Sequence, residues 1–104
     1  MKKDFSQPVL GLDGNPVHEK PATKDAPAVV LTMHTVVITA LQHPGSLGER
    51  PTMDQKVEAF KLGLRLHPGG EQEISSEEAV FLKKVVSAIY PQIPTGRFVE
   101  FIES

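Results

Sequence analysis

Four histidines are the side chains in this sequence best suited to metal binding or proton transfer, and they stand at His18, His34, His43 and His67. A zinc site on one helix needs two histidines four residues apart, and no pair here has that spacing. His43 and His67 are better interpreted as residues at helix ends, where a positively charged ring lies well against free carbonyls. The chain has no cysteine, which excludes disulfides and thiolate ligands. The sequence therefore predicts no metal site and no cofactor.

The segment 71–78, with its glutamates and two serines, is the other candidate for catalysis. Ser75 and Ser76 lack the Gly-x-Ser-x-Gly setting of a nucleophile, and Ser75 is explained as a helix cap. Acid–base catalysis needs carboxylates held in a cleft, whereas an acidic run like this one is typical of a solvated helix start. Gly69-Gly70 is not followed by the lysine of a phosphate-binding loop. We therefore predict a non-enzymatic protein without catalytic residues.

The bulk composition limits both the architecture and the partners. Leu, Ile, Val and Phe supply 30 of the 104 residues, enough for one modest core, and the formal net charge is −2. Lysines and arginines are scattered and the pI is about 6.1, so nucleic acid is disfavoured as a partner. The most apolar stretch, 26–41, is shorter than the roughly 20 residues of a membrane span, and the first residues do not form a secretory signal. These features predict a cytoplasmic protein without membrane contact.

The first third of the chain predicts short strands. Residues 1–7 are expected to be a flexible start, and residues 8–104 a single α+β domain. The hydrophobic residues on either side of Asp13-Gly14 predict a β-hairpin over 8–17, because this dipeptide favours tight reversals. A tether over 18–27 and a short strand over 28–31 follow. In the segment 32–42, β-branching favours a strand, whereas apolar residues at helical spacing, with Thr32 as N-cap, favour a helix. The period decides for a first helix here.

Three further helices complete the prediction. The second begins near Thr52, with Gln55 at capping-box spacing. Its apolar face is expected to carry Met53, Val57, Phe60, Leu64 and Leu66. A possible short strand at 71–74 precedes a third helix capped by Ser75 and Glu78, which ends at Tyr90-Pro91. A last short helix is expected from about 95 to 103. His-Pro-Gly at 43–45 and at 67–69 should end the first two helices.

Two sets of apolar residues are candidates for an interaction surface. The last helix contributes Phe98, Phe101 and Ile102, and the hairpin contributes Val9, Leu10 and Leu12. Packing of the aromatic residues on the domain's own core is one interpretation, because a small chain needs that buried area. The alternative is a subunit or partner interface, where aromatic anchors are enriched.

The C-terminal half resembles small, uncharacterised proteins encoded in bacteriophage and prophage genomes. The likeness lies in KVEAFKLGLRL at 56–66, the segments 73–78 and 81–86, Tyr90-Pro91 and Gly96-Arg97-Phe98, after a hairpin start at 9–17. It implies a prophage origin and a non-enzymatic role, and it assigns no functional residue.

We therefore predict a protein-binding module that contacts a protein partner, of host or phage origin, or forms a homo-oligomer. The alternative is a small nucleic-acid-binding regulator. A helix-turn-helix is disfavoured because the link at 67–74 is long and the following helix begins with Glu77 and Glu78.

Overall fold

The computed structural model describes residues 1–20 and 23–104 and confirms an α+β domain. Its elements are, in chain order, β1 (Lys2–Asp4), β2 (His18–Lys20), β3 (Val29–Val30), α1 (Met33–Gln42), α2 (Met53–Leu66), β4 (Glu71–Glu73), α3 (Ser76–Ile89) and α4 (Gln92–Glu103). Helix α1 contacts the other three helices and lies at the centre of the core. In the described residues the strands form two antiparallel pairs, β1 with β4 and β2 with β3.

The start of the chain is a strand, which corrects the expectation of a flexible segment at 1–7. Lys2 pairs with Glu73 and Asp4 with Glu71 in the β1–β4 ladder. Phe5, which follows β1, is fully buried, and its ring meets that of Phe101 edge-on with centroids 5.1 Å apart. Backbone hydrogen bonds to β4 and the packing of Phe5 on Phe101 therefore hold the first residues of the chain in place.

The predicted chain reversal at Asp13-Gly14 is present, but the segments on its two sides form a single isolated bridge rather than two strands. Gly14 has a φ of 81°, and the carboxylate of Asp13 accepts a hydrogen bond of 3.0 Å from the Asn15 amide. Leu10 and Pro16 form an isolated bridge. Pro16, which has no amide hydrogen, fits this bridge because Gly11 donates to the Asn15 carbonyl over 2.8 Å and the Val17 amide supplies the bond on the other side.

The predicted tether at 18–27 contains β2, which pairs with β3, and this is a second correction. Val17 donates from its amide to the Val9 carbonyl, while Leu31 donates to the carbonyl of Val17, each over 2.8 Å. These bonds join the hairpin to the short strand predicted at 28–31, of which Val29–Val30 is confirmed as β3. Pro21 and Ala22, within the predicted tether, lie outside the described residues.

The helices confirm most of the local predictions. Residues 33–42 are helical with Thr32 as N-cap, and both capping boxes are formed, Thr52 with Gln55 and Ser75 with Glu78. His43 and His67 are the C-caps of α1 and α2. Helix α4 begins at Gln92, three residues before the predicted start. The early start includes Pro94, which is tolerated because first-turn amides have no partner inside the helix.

Candidate functional site

The three aromatic and aliphatic residues of α4 belong to the core, so their predicted role as an interaction surface is wrong. Phe98, Phe101 and Ile102 are all buried, and the rings of Phe98 and Phe101 lie 6.0 Å apart. The face that carries them turns inward, because α4 packs on α1 and α3. The interpretation in which this helix completes the domain's own core is confirmed.

The hairpin offers little more surface than α4. Val9 is fully buried and Leu10 is half-buried, so neither presents the predicted contact. Arg97 holds this segment against α4 by donating to the carbonyls of Leu10 and Gly11, over 3.0 and 2.9 Å. Leu12, at the tip, is 86 % exposed. Of the three hairpin residues proposed as an interaction surface, Leu12 is the one whose side chain is exposed.

Helix α2 presents the opposite face to the one predicted. Its buried residues are Ala59, Leu62 and Leu66, and of the predicted face only Leu66 turns inward. The other four members form what we call the α2 stripe; they are Met53 (76 % exposed), Val57 (42 %), Phe60 (65 %) and Leu64 (62 %). At about 100° per residue the stripe and the buried triad lie on nearly opposite sides of the helix.

The α2 stripe has the helical spacing that is typical of a buried face, and for that reason it was expected in the core. A second set of apolar residues on α2, Ala59, Leu62 and Leu66, also has helical spacing. This set was the signal in the sequence that could have predicted the buried face. A small residue such as Ala59 lets two helices approach closely, and α2 packs on α1 through this side. Four larger apolar side chains are left facing away from the core.

A groove and a hollow flank the α2 stripe. The groove, between α1 and α2, is open to solvent and has a volume of about 610 Å³. Its apolar lining includes Ile38, Leu41, Leu47, Phe60 and Leu64. The hollow on the other side, of about 690 Å³, is lined partly by charged residues, among them Asp54 and Lys61. The stripe is thus a ridge with one apolar edge and one charged edge.

An ion pair fixes the position of α2 relative to α3. Glu78 Oε2 lies 2.7 Å from Arg65 Nη1, while Oε1 accepts a hydrogen bond of 2.9 Å from the Ser75 amide. The hydrogen bond from Arg65, together with the bond to the Ser75 amide and the charge of Arg65, lowers the pKa of Glu78 to about 2. The same carboxylate therefore caps α3 and anchors the end of α2.

We expect acid to weaken this anchor. The pKa of Glu78 is lowered from 4.5 to about 2, so its contribution to folding is complete above pH 4.5 and is lost as the pH falls toward 2. Glu78→Gln should cost about 1–2 kcal/mol at neutral pH through loss of the charge-assisted bond to Arg65, because glutamine can still accept from the Ser75 amide, as Gln55 does from Thr52. It should also flatten the pH dependence of the unfolding free energy in that window, measured by urea denaturation. Glu77→Gln is the control, and equal slopes in the two variants would contradict the assignment.

The histidines and carboxylates of residues 1–20 and 23–104 do not assemble into a metal site. No three His, Asp or Glu side chains come together there in a way that could hold a metal ion. His34 donates from Nε2 to the His67 carbonyl over 2.8 Å, and His43 Nδ1 accepts from the Gly45 amide over 3.0 Å. The His34 ring therefore binds the end of α2, and the His43 ring stabilises the turn that follows α1.

Comparisons of the chain with protein-family models, with curated proteins and with solved structures found no match. In the described part of the chain, no helix has the length and hydropathy needed to cross a membrane. The α2 stripe with its flanking groove is therefore the candidate site, on the strength of its geometry.

Proposed function

We propose that the chain is a non-enzymatic protein-binding module whose binding surface is the α2 stripe. The observation that carries the proposal is the exposure of four large apolar side chains in a row on one helix. Contiguous apolar patches of this kind on soluble domains are typical of interaction sites. Covering all four would contribute roughly 5 kcal/mol, taking about 1.5–3 kcal/mol per fully buried side chain and scaling by exposure.

A protein fits this surface better than nucleic acid does. Phosphate binding depends on clustered cations, whereas the stripe is apolar and its charged edge carries both Asp54 and Lys61. The nucleic-acid alternative therefore has no feature of the site in its favour. The prophage origin and cytoplasmic location implied by the sequence stay predictions.

The test is capture of proteins from a nuclease-treated lysate of the source cells, with the chain as bait. Phe60→Asp places a charge at the centre of the stripe, whereas Val80→Asp changes an equally exposed residue of α3, at 65 and 63 % exposure. We expect at least one protein, including an untagged copy of the chain itself, to be retained by the wild type and Val80→Asp and lost with Phe60→Asp. Capture that is equal on all three baits would contradict the proposal, provided that circular dichroism shows all three folded.

A further inference from the structure

We infer that the occupant of the α2 stripe is the same stripe of a second copy, packed antiparallel about a two-fold axis. This inference rests on the proposed function and names its partner. A two-fold interface must be complementary to itself. If one residue of the first copy contacts another residue of the second copy, the same two residues also form the contact with the copies exchanged. Three features of the α2 stripe are compatible with such self-complementarity: the spacing of its residues, the charges at one edge and a glycine at the other edge.

The spacing of the α2 stripe matches a short coiled-coil seam. Its members are four, three and four residues apart, the alternation by which a helix keeps one seam toward a neighbouring helix. When two copies run antiparallel, with the axis midway between Val57 and Phe60, each Val57 meets a Phe60 and each Met53 meets a Leu64. The central layers then pair the small Val57 with the large Phe60, and the outer layers pair two flexible or branched aliphatic side chains of similar size, Met53 and Leu64.

The charged edge favours the antiparallel direction. Asp54 and Lys61 lie on the same edge of the stripe, seven residues apart, and neither forms an ion pair within residues 1–20 and 23–104. In the antiparallel pair Asp54 of each copy faces Lys61 of the other, which makes two symmetric ion pairs. A parallel pair would instead bring Lys56 against Lys61 of the second copy, and like charges there oppose association.

Gly63 supplies a third, independent observation at the opposite edge. It lies inside α2, where glycine weakens a helix relative to alanine. Apart from the adjacent backbone of α2 itself, a Cβ added there would meet no atom of the described residues within 4 Å, so packing inside the domain does not require glycine. In the antiparallel pair Lys56 of the second copy lies over Gly63, and the absent side chain makes room for the aliphatic part of that lysine.

Sedimentation equilibrium of the full chain at low salt tests the inference. We expect a reversible monomer–dimer equilibrium in the wild type. Phe60→Asp should raise the dimer Kd by about 30-fold or more, as for a central aromatic anchor, and Val80→Asp should change it by less than about 3-fold. Gly63→Ala should raise both the monomer's thermal stability and the dimer Kd, a combination that a purely structural role for Gly63 would not produce.

Charge reversal tests the direction of the helices. Asp54→Lys alone and Lys61→Glu alone should each weaken the dimer, and the double variant should restore it. Loss of the first-turn acid also weakens α2 itself, but the double variant retains that defect, so recovery would report the contact between copies. Failure of the double variant to recover would overturn the antiparallel arrangement.

The remaining outcomes separate this inference from the proposed function. A wild type that stays monomeric at every concentration would overturn self-association, while capture dependent on Phe60 would still support a protein-binding stripe. A dimer that is indifferent to Phe60→Asp would place the interface elsewhere and overturn the inference. If capture were also indifferent to that change, the proposed function would be wrong as well.

Discussion

Phe98→Ala should lower the free energy of unfolding by about 3–5 kcal/mol, the range for removing a fully buried aromatic ring. Phe98 has no exposed surface and packs beside Phe101 in the core. Because the neighbouring helices can collapse only partly into the space, lost contacts add to the lost burial. Since small domains have about 5–15 kcal/mol of stability in total, a large part of it should disappear, as measured by urea denaturation.

The same substitution on the α2 stripe is the matched control. Phe60→Ala should change the unfolding free energy of the monomer by less than about 0.5 kcal/mol, because the ring is mostly solvated. The measurement is made at low protein concentration, so that association does not contribute. Phe98→Leu provides a milder variant if the alanine variant does not fold. A folded Phe98→Ala protein with little loss of stability would contradict the burial of α4.

Phe5→Ala should be similarly damaging, with a loss of about 3–5 kcal/mol for another fully buried ring. The backbone on both sides of the ring is also engaged: the Phe5 amide donates to the Gly70 carbonyl and the Phe5 carbonyl accepts from the His34 amide, each over 2.8 Å. Loss of the ring should therefore loosen the β1–β4 ladder. Urea denaturation gives the free energy, and hydrogen exchange of the ladder amides shows the loosening.

Leu12→Ala is the control for the N-terminal segment. Its side chain projects into solvent at the hairpin tip, so the change should stay within about 0.5 kcal/mol. If Phe5→Ala cost no more than Leu12→Ala, the start of the chain would be the flexible segment that its sequence suggested.

Local chemistry made the helix boundaries predictable. Thr52 with Gln55 and Ser75 with Glu78 satisfy amides within three residues of themselves, so each capping box is encoded in a few adjacent side chains. The exit at His43 is equally local, because the proline that follows holds its backbone in an extended conformation. His67 keeps helical dihedral angles, and the chain leaves α2 at Gly69, whose φ of 74° favours glycine. The helical spacing in 33–42 likewise prevailed over β-branching, since it buries Val36 and Val37 together in the core.

Pairing between distant segments was not predictable in this way. Nothing near residues 2–4 indicates that β4 will be their partner, and an acidic run such as Glu71–Glu73 is also typical of solvent-exposed loops. The ladder places Lys2 opposite Glu73, and Lys2 Nζ lies 3.7 Å from a carboxylate oxygen of Glu71. Only the approach of the two chain segments in the folded domain creates the strand.

The candidate site shows the same division. Periodicity and caps are local properties, so the residues alone were enough to place Met53, Val57, Phe60 and Leu64 on one face of a capped helix. Which side of α2 would be buried was decided by the tertiary structure, where α1 packs on Ala59, Leu62 and Leu66. Periodicity states which residues lie together, whereas burial depends on the shape of what they pack against. For that reason the α2 stripe, which was expected in the core, is an exposed face of the domain.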